Sequence, residues 1–474
     1  MQRATDLLTS FGSHLISGWF ELDTWIVITA ALAAMACSIP GCFLVLRRQS
    51  MIGDALTHTV LPGIVAAFLL RQYFESLGWF GDGSTDSRTA FDATSYAMMF
   101  TGAIVTGAAT AILTEWIQRQ GRVENSAALG VVYTSLFALG LLMIRLVADS
   151  VHIDPDCVLY GNIETVWAGP GHIPRAAWIG GAALLMNAFL VVCFFKELRI
   201  STFDPALATS LGINATVIHY VLMAVTAVTA VAAFESVGNI LVVAMLIVPP
   251  ATAHLLTDRL WVMLILAAVS ASLSAVLGHA MALVLPPVLT SRFAASPLFE
   301  GVDVSTLDAS TSGMQAVATG VLFVLAMLLG PRHGIIVRTT LQLRLALRIA
   351  AEDILGALYR QDETKSATTP LLAAGRRSAT YRAAAWNLRR KGFIGGTASE
   401  PHLTDKGKSE ARQLVRAHRL WETYMARHFD VPGDHLHDAA HRVEHFLDPE
   451  LRDQLARELD SPDTDPHGRD IPRS

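Results

Sequence analysis

Charged residues are scarce in this chain. Only 16% of its 474 residues are Asp, Glu, Lys or Arg, against 52% that are hydrophobic. An average soluble domain carries roughly 25% charge, so the shortage excludes a wholly soluble protein and points to lipid. Cysteine is scarce as well. Cys37, Cys42, Cys157 and Cys193 are scattered without a close metal-type pair, and read as small hydrophobes rather than a disulfide framework. No G-x-x-x-x-G-K-[ST] phosphate loop occurs anywhere, so nucleotide binding by this chain is not expected. The first apolar run follows Glu21 and Asp23 and ends in Arg47-Arg48 without a small-residue cleavage site, unlike a cleavable signal peptide. The net charge of −5 implies no acidic or basic partner.

What is present is unevenly spread. The length suggests at least two domains. Runs long enough to span a bilayer occur near 25–46, 53–70, 96–117, 126–147, 176–195, 215–234, 237–257, 261–285 and 313–330. The weakest is 53–70, and 215–257 divides in more than one way around Glu235 to Asn239. Arg47, Arg48, Arg119, Arg122, Lys196, Arg199, Arg259 and Arg332 fall on one side of that count, against Arg71, Arg88, Arg175 and Arg292 on the other. The positive-inside rule then predicts an external N-terminus and a cytoplasmic C-terminus. From about Arg332 onward the chain turns polar, and half of its sixteen His lie between His402 and His467.

The segment Arg47 to Pro62 reads R-R-Q-S-M-I-G-D-A-L-T-H-T-V-L-P. Asp54 and His58 are four apart, so a helix puts both on one face. In a greasy segment such groups face a pore, a partner helix or an ion. A helix-start Asp with a hydrogen-bonded core His is the blander alternative. The outer loop His152–Glu164 is acidic and turn-rich; it reads either as a meeting point for a cation or delivering protein or as a plain capping loop. On the inner side, Asp204-Pro205 looks like a helix start and Gly212 a stop, giving a short helix placed to dock a soluble partner. Pro249-Pro250 is expected to break the helix that carries it, and His279 to be a packed residue.

Four blocks in order carry a resemblance: L-R-R-Q-S-M-I-G-D-A-L-T-H-T-V-L-P-G (46–63), D-P-D-C-V-L-Y-G (154–161), F-D-P-A-L-A-T-S-L-G-I (203–213) and V-G-N-I-L-V-V-A-M-L-I-V-P-P-A-T-A (237–253). Residues 40–330 resemble the permease subunit of the zinc/manganese/iron class of ABC importers. The resemblance implies that Asp54 and His58 are the metal-coordinating pair of the translocation path. It implies a coupling helix for a separate ABC ATPase subunit at Phe203, Asp204, Pro205, Leu207, Leu211 and Gly212. It also implies a second permease copy or homologous permease, and a periplasmic or lipoprotein metal-binding protein that delivers the ion. An oxygen and a nitrogen donor suit Mn²⁺, Fe²⁺ or Zn²⁺.

Beyond Pro331 an amphipathic helix is expected, then a break at 361–370. Ser378–Arg390 reads as a helix, and K-G-F-I-G-G-T-A-S-E-P-H-L-T-D-K-G as strand, turn, strand, the pattern of a winged helix. Arg376, Arg377, Arg382, Arg389, Arg390 and Lys391 give this unit six bases without an acid between them. DNA backbone contact is one reading; an inner-leaflet or solvated face is the one favoured here. Further on, His418 and Glu422 are four apart, and His437, His441, Glu444 and His445 follow at i, i+4, i+7 and i+8. A continuous helix would place those last four on one stripe. Imidazoles and a carboxylate so arranged are first-row metal ligands.

The stretches A-E-D-I-L-G-A-L-Y, L-T-D-K-G, R-A-H-R-L-W-E, the His437–His445 run and S-P-D-T-D-P-H-G-R-D-I-P make residues 349–470 resemble the iron- and manganese-dependent repressors of the diphtheria-toxin-repressor type. The resemblance implies that Asp353, His418, Glu422, His437, His441, Glu444 and His445 are regulatory-metal ligands. Asp353 matches the manganese branch, whereas His441 stands where that family more often has Cys or Glu.

The expected whole is an all-α polytopic protein of the cell inner membrane, with about nine transmembrane helices over 1–335. A cytoplasmic amphipathic helix and winged-helix unit follows (336–410), then a helical metal-binding and dimerisation domain (411–474). The expected function is that of a non-enzymatic permease for manganese, zinc or iron with a metal-sensing tail. The rivals are a membrane-tethered, metal-dependent transcription regulator and a secondary transporter needing no ATPase.

Overall fold

The computed structural model describes residues 21–59, 61–77, 93–147, 163–165, 173–293, 309–364, 378–397, 400–429, 440–441 and 443–473. The chain divides into two compact units, Met1–Ile335 and Ile336–Ser474.

The first unit is helical: α1 (Glu21–Leu46), α2 (Ser50–Thr59), α3 (Leu61–Ser76), α4 (Ala93–Gly121), α5 (Asn125–Val147), α6 (Arg175–Cys193), α7 (Phe195–Phe203), α8 (Pro205–Ser210), α9 (Ala215–Val237), α10 (Asn239–Leu256), α11 (Leu260–Phe293) and α12 (Thr311–Leu329). Among the described residues, α1, α5, α6, α9, α10, α11 and α12 are long and apolar enough to cross a membrane. Helix α4 has the length, at 29 residues. The span expected at 53–70 is different. It is two helices, α2 and α3, and α2 has only 10 residues, about 15 Å at 1.5 Å per residue. Asp54 and His58 therefore sit half-buried on a short helix that packs against α5, α9 and α10.

Helix α1 is the centre of this unit. Its buried side chains are mostly small, among them Ala30, Ala33, Ala34 and Cys37, and they pack against Leu241, Met245 and Leu246 of α10 and Ala271 and Ala275 of α11. Lipid offers helices no hydrophobic reason to associate, so close approach of small residues and interhelical hydrogen bonds must do it. Asn187 of α6 supplies two such bonds, donating to Ala36 O and Thr229 Oγ1 at 2.9 Å each. The outer surface is correspondingly greasy: Leu146, Leu185, Phe189 and Val192 are all exposed. His279 is packed as expected, with Nε2 3.1 Å from Asp23 Oδ1 and Nδ1 3.2 Å from Thr311 Oγ1.

Pro249-Pro250 does not break its helix: α10 runs on to Leu256 with both prolines inside. Proline lacks an N–H, so Pro250 leaves the Leu246 carbonyl without its helical donor. That carbonyl lies against α1 at Gly41, where an added Cβ would stand 2.1 Å from the oxygen. A glycine here admits the freed carbonyl into the helix seam, so the neighbouring helix accommodates the prolines.

The second unit opens with α13 (Ile335–Thr364), followed by α14 (Ala379–Arg390), β1 (Ile394–Gly396), β2 (Pro401–Leu403), α15 (Asp405–His428), a 3₁₀ turn (Glu444–Phe446) and α16 (Pro449–Glu458). The strands form an antiparallel hairpin, pairing Ile394 with Leu403 and Gly396 with Pro401. One core joins Ile354, Leu355 and Leu358 of α13 to Leu388, Ile394, Leu403 and Ala411. A second packs Leu420 of α15 on Ala456, Leu459 and Ile471. The continuous helix expected through His445 ends in the 3₁₀ turn instead. Its successor α16 starts immediately, with Asp448 capping Leu451 N at 2.7 Å and Pro449 in the first turn, so no room remains for another α-turn. The break expected from 361 does not begin there, because α13 runs on to Thr364; residues 365–370, residues 152–162 of the acidic loop, Arg376, Arg377 and His437 lie outside the described residues.

Candidate metal centres

The first centre is on α2. His58 Nε2 lies 3.6 Å from Asp54 Oδ1, as the four-residue spacing requires. The His58 ring is flanked by Tyr133 and Phe137 of α5, with centroids 5.4 and 5.2 Å away. From α10, the Asn239 amide nitrogen comes within 2.9 Å of Nδ1 and 3.2 Å of Nε2. Two glycines make that meeting possible. Gly238 takes a φ of +80° between α9 and α10, a left-handed conformation that favours glycine. Gly53 lets α2 lie on Leu246, 3.3 Å from where a Cβ would be. Sequence reading missed Asn239. The only signal was its place in the V-G-N block, where it served merely to divide two spans.

The helix start at 204–205 forms as its residues dictate. Asp204 Oδ1 accepts from Ala206 N at 3.1 Å and Leu207 N at 2.9 Å, and Pro205 is the first residue of α8. Gly212, with φ +82°, closes the helix, and Ile213 N donates back to Ala208 O at 2.9 Å. Phe203, Leu207 and Leu211 stand exposed, and the first two line a cleft of about 620 Å³ together with Arg199, Asp258, Arg259 and Trp261. Behind it, Arg47 at the end of α1 donates to Ser201 Oγ at 3.0 Å and Thr202 Oγ1 at 3.4 Å.

The second centre is in the tail unit. Asp353 of α13 and His441, Glu444 and His445 each offer one ligand atom, all within 4.8 Å of one another. His445 Nε2 is 3.2 Å from Asp353 Oδ1, yet both atoms are buried without a hydrogen-bond partner among the described residues. The geometry between them is wrong for a hydrogen bond; the two atoms converge on shared space instead. His441 Nδ1 is 3.0 Å from Glu444 Oε1. His418 links this group to Glu422, with Nδ1 2.6 Å from Glu444 Oε2 and Nε2 3.1 Å from Glu422 Oε1. His418 and Glu422 are thus brought into one network with Asp353, His441, Glu444 and His445.

Charges inside this network are strongly coupled. Burial alone would raise the Glu444 carboxyl, but hydrogen bonds from His418 and His441 overcome it and hold the group at about 2. Burial would lower His445, but the carboxylates of Asp353, Glu352 and Glu444 around it push it up to about 9. His418 is raised in the same way, against burial, by Glu422 and Glu444. Raised in this way, the His445 imidazole favours its protonated form in the metal-free chain. The donor set of carboxylates and imidazoles fits a divalent first-row metal, and the two orphaned atoms fit a shared ion better than each other. Sequence reading missed Glu352. Its Oε2 accepts from His445 Nδ1 at 2.8 Å while Arg348 Nε donates to Oε1 at 2.8 Å. Its neighbour Asp353 was the visible signal, but only the fold turns Glu352 toward His445.

Residues 20–293 match the ABC 3 transport family. The chain belongs to that family. Residues 404–473 match the metal binding and dimerisation domain of iron dependent repressors. Among ABC 3 relatives, the manganese transport system membrane protein MntD of Bacillus subtilis is 40% identical over 324 residues, which is 67% of this chain and 95% of that one. A probable metal transport system membrane protein of Chlamydia trachomatis is 24% identical over 458 residues, 94% of this chain and 95% of that one. The solved structure of PsaBC from Streptococcus pneumoniae in complex with Fab aligns at a TM-score of 0.51 and 28% identity, covering 68% of this chain and 97% of that chain. This ABC 3 chain is therefore a multi-pass membrane protein whose polar tail is of repressor type.

Proposed function

We propose that residues 1–335 are the permease of an ATP-driven importer of manganese, zinc or iron. The observation that carries this is the Asp54–His58 couple, half-buried in an apolar helical unit with the His58 ring against Tyr133 and Phe137. Ionisable groups are costly at such a place unless they serve an ion path. Manganese is favoured by the name of the MntD relative. ATP is hydrolysed by a separate subunit, which docks on Phe203, Asp204, Pro205, Leu207, Leu211 and Gly212; a delivering metal-binding protein meets the other side. A second permease, a copy or a homologue, completes the path. The membrane is the inner one, with the tail in the cytoplasm.

The tail, an amphipathic helix and winged-helix-like unit over 336–410 and a metal-binding unit over 411–474, senses the imported metal. Asp353, His441, Glu444 and His445 would hold one ion, with His418, Glu422 and His437 contributing to a neighbouring site. Bound metal there supplies a cross-link between α13 and the 3₁₀ turn. The tail then slows import when the cytoplasm is replete.

The test is ATP-driven uptake of ⁵⁴Mn²⁺ into proteoliposomes holding the chain with its ATPase. Asp54→Ala with His58→Ala should abolish uptake while the tail still binds metal. Full uptake by that variant would end the assignment. A membrane-tethered regulator keeps one observation in its favour, the basic helix α14 followed by its hairpin. Metal-dependent operator binding by the full chain in detergent would support that second reading.

A further inference from the structure

Asn239 is 4% exposed, the first residue of α10. One end of its amide is engaged: the nitrogen meets the His58 ring at 2.9 and 3.2 Å. The other end is not. Oδ1 is buried without a hydrogen-bond partner among the described residues. An unpaired buried acceptor is destabilising, and the apolar core of a bilayer holds no water to relieve it.

Helix capping does not account for this oxygen. An Asn at a helix start earns its place by accepting from backbone N–H groups of the first turn, but α10 has no side-chain cap. Packing does not account for it either. A Leu would fill much the same volume without stranding a polar atom. What the oxygen does share is a neighbourhood. It belongs to the amide that touches His58, and His58 lies 3.6 Å from Asp54.

We propose that the Asn239 amide oxygen is a third donor to the transported cation, beside Asp54 and His58, and that it favours Mn²⁺ over Zn²⁺. The inference rests on the transport reading of that pair. A carboxylate and an imidazole suit manganese, iron and zinc alike. A neutral carbonyl-type oxygen is a hard donor, of the kind manganese accepts readily, whereas zinc sites are built mainly from nitrogen and sulfur with few ligands. A neutral donor also adds affinity without a further negative charge. The ion is selected on entry and still leaves when the path opens inward.

The experiment uses the full chain in detergent, with His441→Ala and Glu444→Ala to silence the tail centre. Mn²⁺ and Zn²⁺ dissociation constants are measured by titration for Asn239→Leu, Asn239→Asp and Asp54→Ala. Asn239→Leu should weaken Mn²⁺ by roughly tenfold, about 1.4 kcal/mol, and Zn²⁺ far less. Asn239→Asp keeps an oxygen and adds charge; it should tighten Mn²⁺ and slow ⁵⁴Mn²⁺ uptake in proteoliposomes. If Asn239→Leu does not fold, the Asp variant decides alone, and unchanged Mn²⁺ affinity there overturns the proposal. Equal losses for both metals in Asn239→Leu would also overturn it, leaving Asn239 as a support for the helix break. If Asp54→Ala abolishes binding while Asn239 variants change nothing, only the third donor is lost. If Asp54→Ala itself binds normally, the transport site has been misplaced and this inference falls with it.

Discussion

At the scale of single residues, the tail centre is ruled by Glu352. Its carboxylate fixes the His445 ring through Nδ1, leaving Nε2 turned toward Asp353. Partners that orient a ligand in this way commonly matter about 10–100-fold in metal affinity. Glu352→Gln should weaken Mn²⁺ binding to the tail by that order, measured on a chain carrying Asp54→Ala. An unchanged constant would show that the ring needs no such hold. The same residues set a pH dependence. His445 is raised to about 9, so its contribution to the metal-free fold is fully present below its ordinary value of about 6.5 and is lost as pH rises through about 9. Metal must displace that proton. Tail affinity should therefore climb between pH 7 and 9, with release of about one proton per ion from His445, read by titration calorimetry in buffers of different ionisation enthalpy. Affinity that is flat over this window would contradict the protonated imidazole.

At the scale of elements, the seam between α1 and α10 combines two features that look unfavourable apart. Paired prolines strip a carbonyl of its donor, and a glycine in the facing helix gives up a side chain. Together they fit: the Leu246 carbonyl occupies the space at Gly41. Gly41→Ala puts a methyl against backbone, where overpacking costs typically about 1–3 kcal/mol. The purified chain should melt at lower temperature. Gly181→Ala on α6, with open space around its Cβ, should leave the melt unchanged. Equal melts for the two variants would mean the seam is looser than described. The short helix α2 belongs to the same scale. The hydropathy of 53–70 suggested one span, but a helix bearing Asp54 and His58 cannot face lipid along its length. It packs on its neighbours instead, with Asp54 and His58 half-buried and α5 and α10 against the His58 ring.

At the scale of the molecule, one chain joins an ABC 3 unit to a repressor-type metal domain. Each unit has a core of its own, so a change in the tail centre should leave the permease assembled. His441→Ala with Glu444→Ala should let ⁵⁴Mn²⁺ uptake continue at internal metal levels that stop the parent chain, with the initial rate unchanged. Shut-off identical to the parent would remove the feedback role.

Composition and spacing already determined much of this. Apolar runs demanded a helical membrane unit, because only paired backbones survive in lipid. Asp204-Pro205 and Gly212 dictated a capped short helix, since those choices depend on neighbours in the chain. Asp54 with His58, and His418 with Glu422, were visible because four residues is one helical turn. What only the tertiary structure decided is whatever crosses elements. Asn239 stands 181 residues from His58, and Glu352 93 from His445; no local periodicity links such pairs. Packing brings them together, and among the described residues it leaves Asn239 Oδ1, Asp353 Oδ1 and His445 Nε2 among the buried atoms without a hydrogen-bond partner.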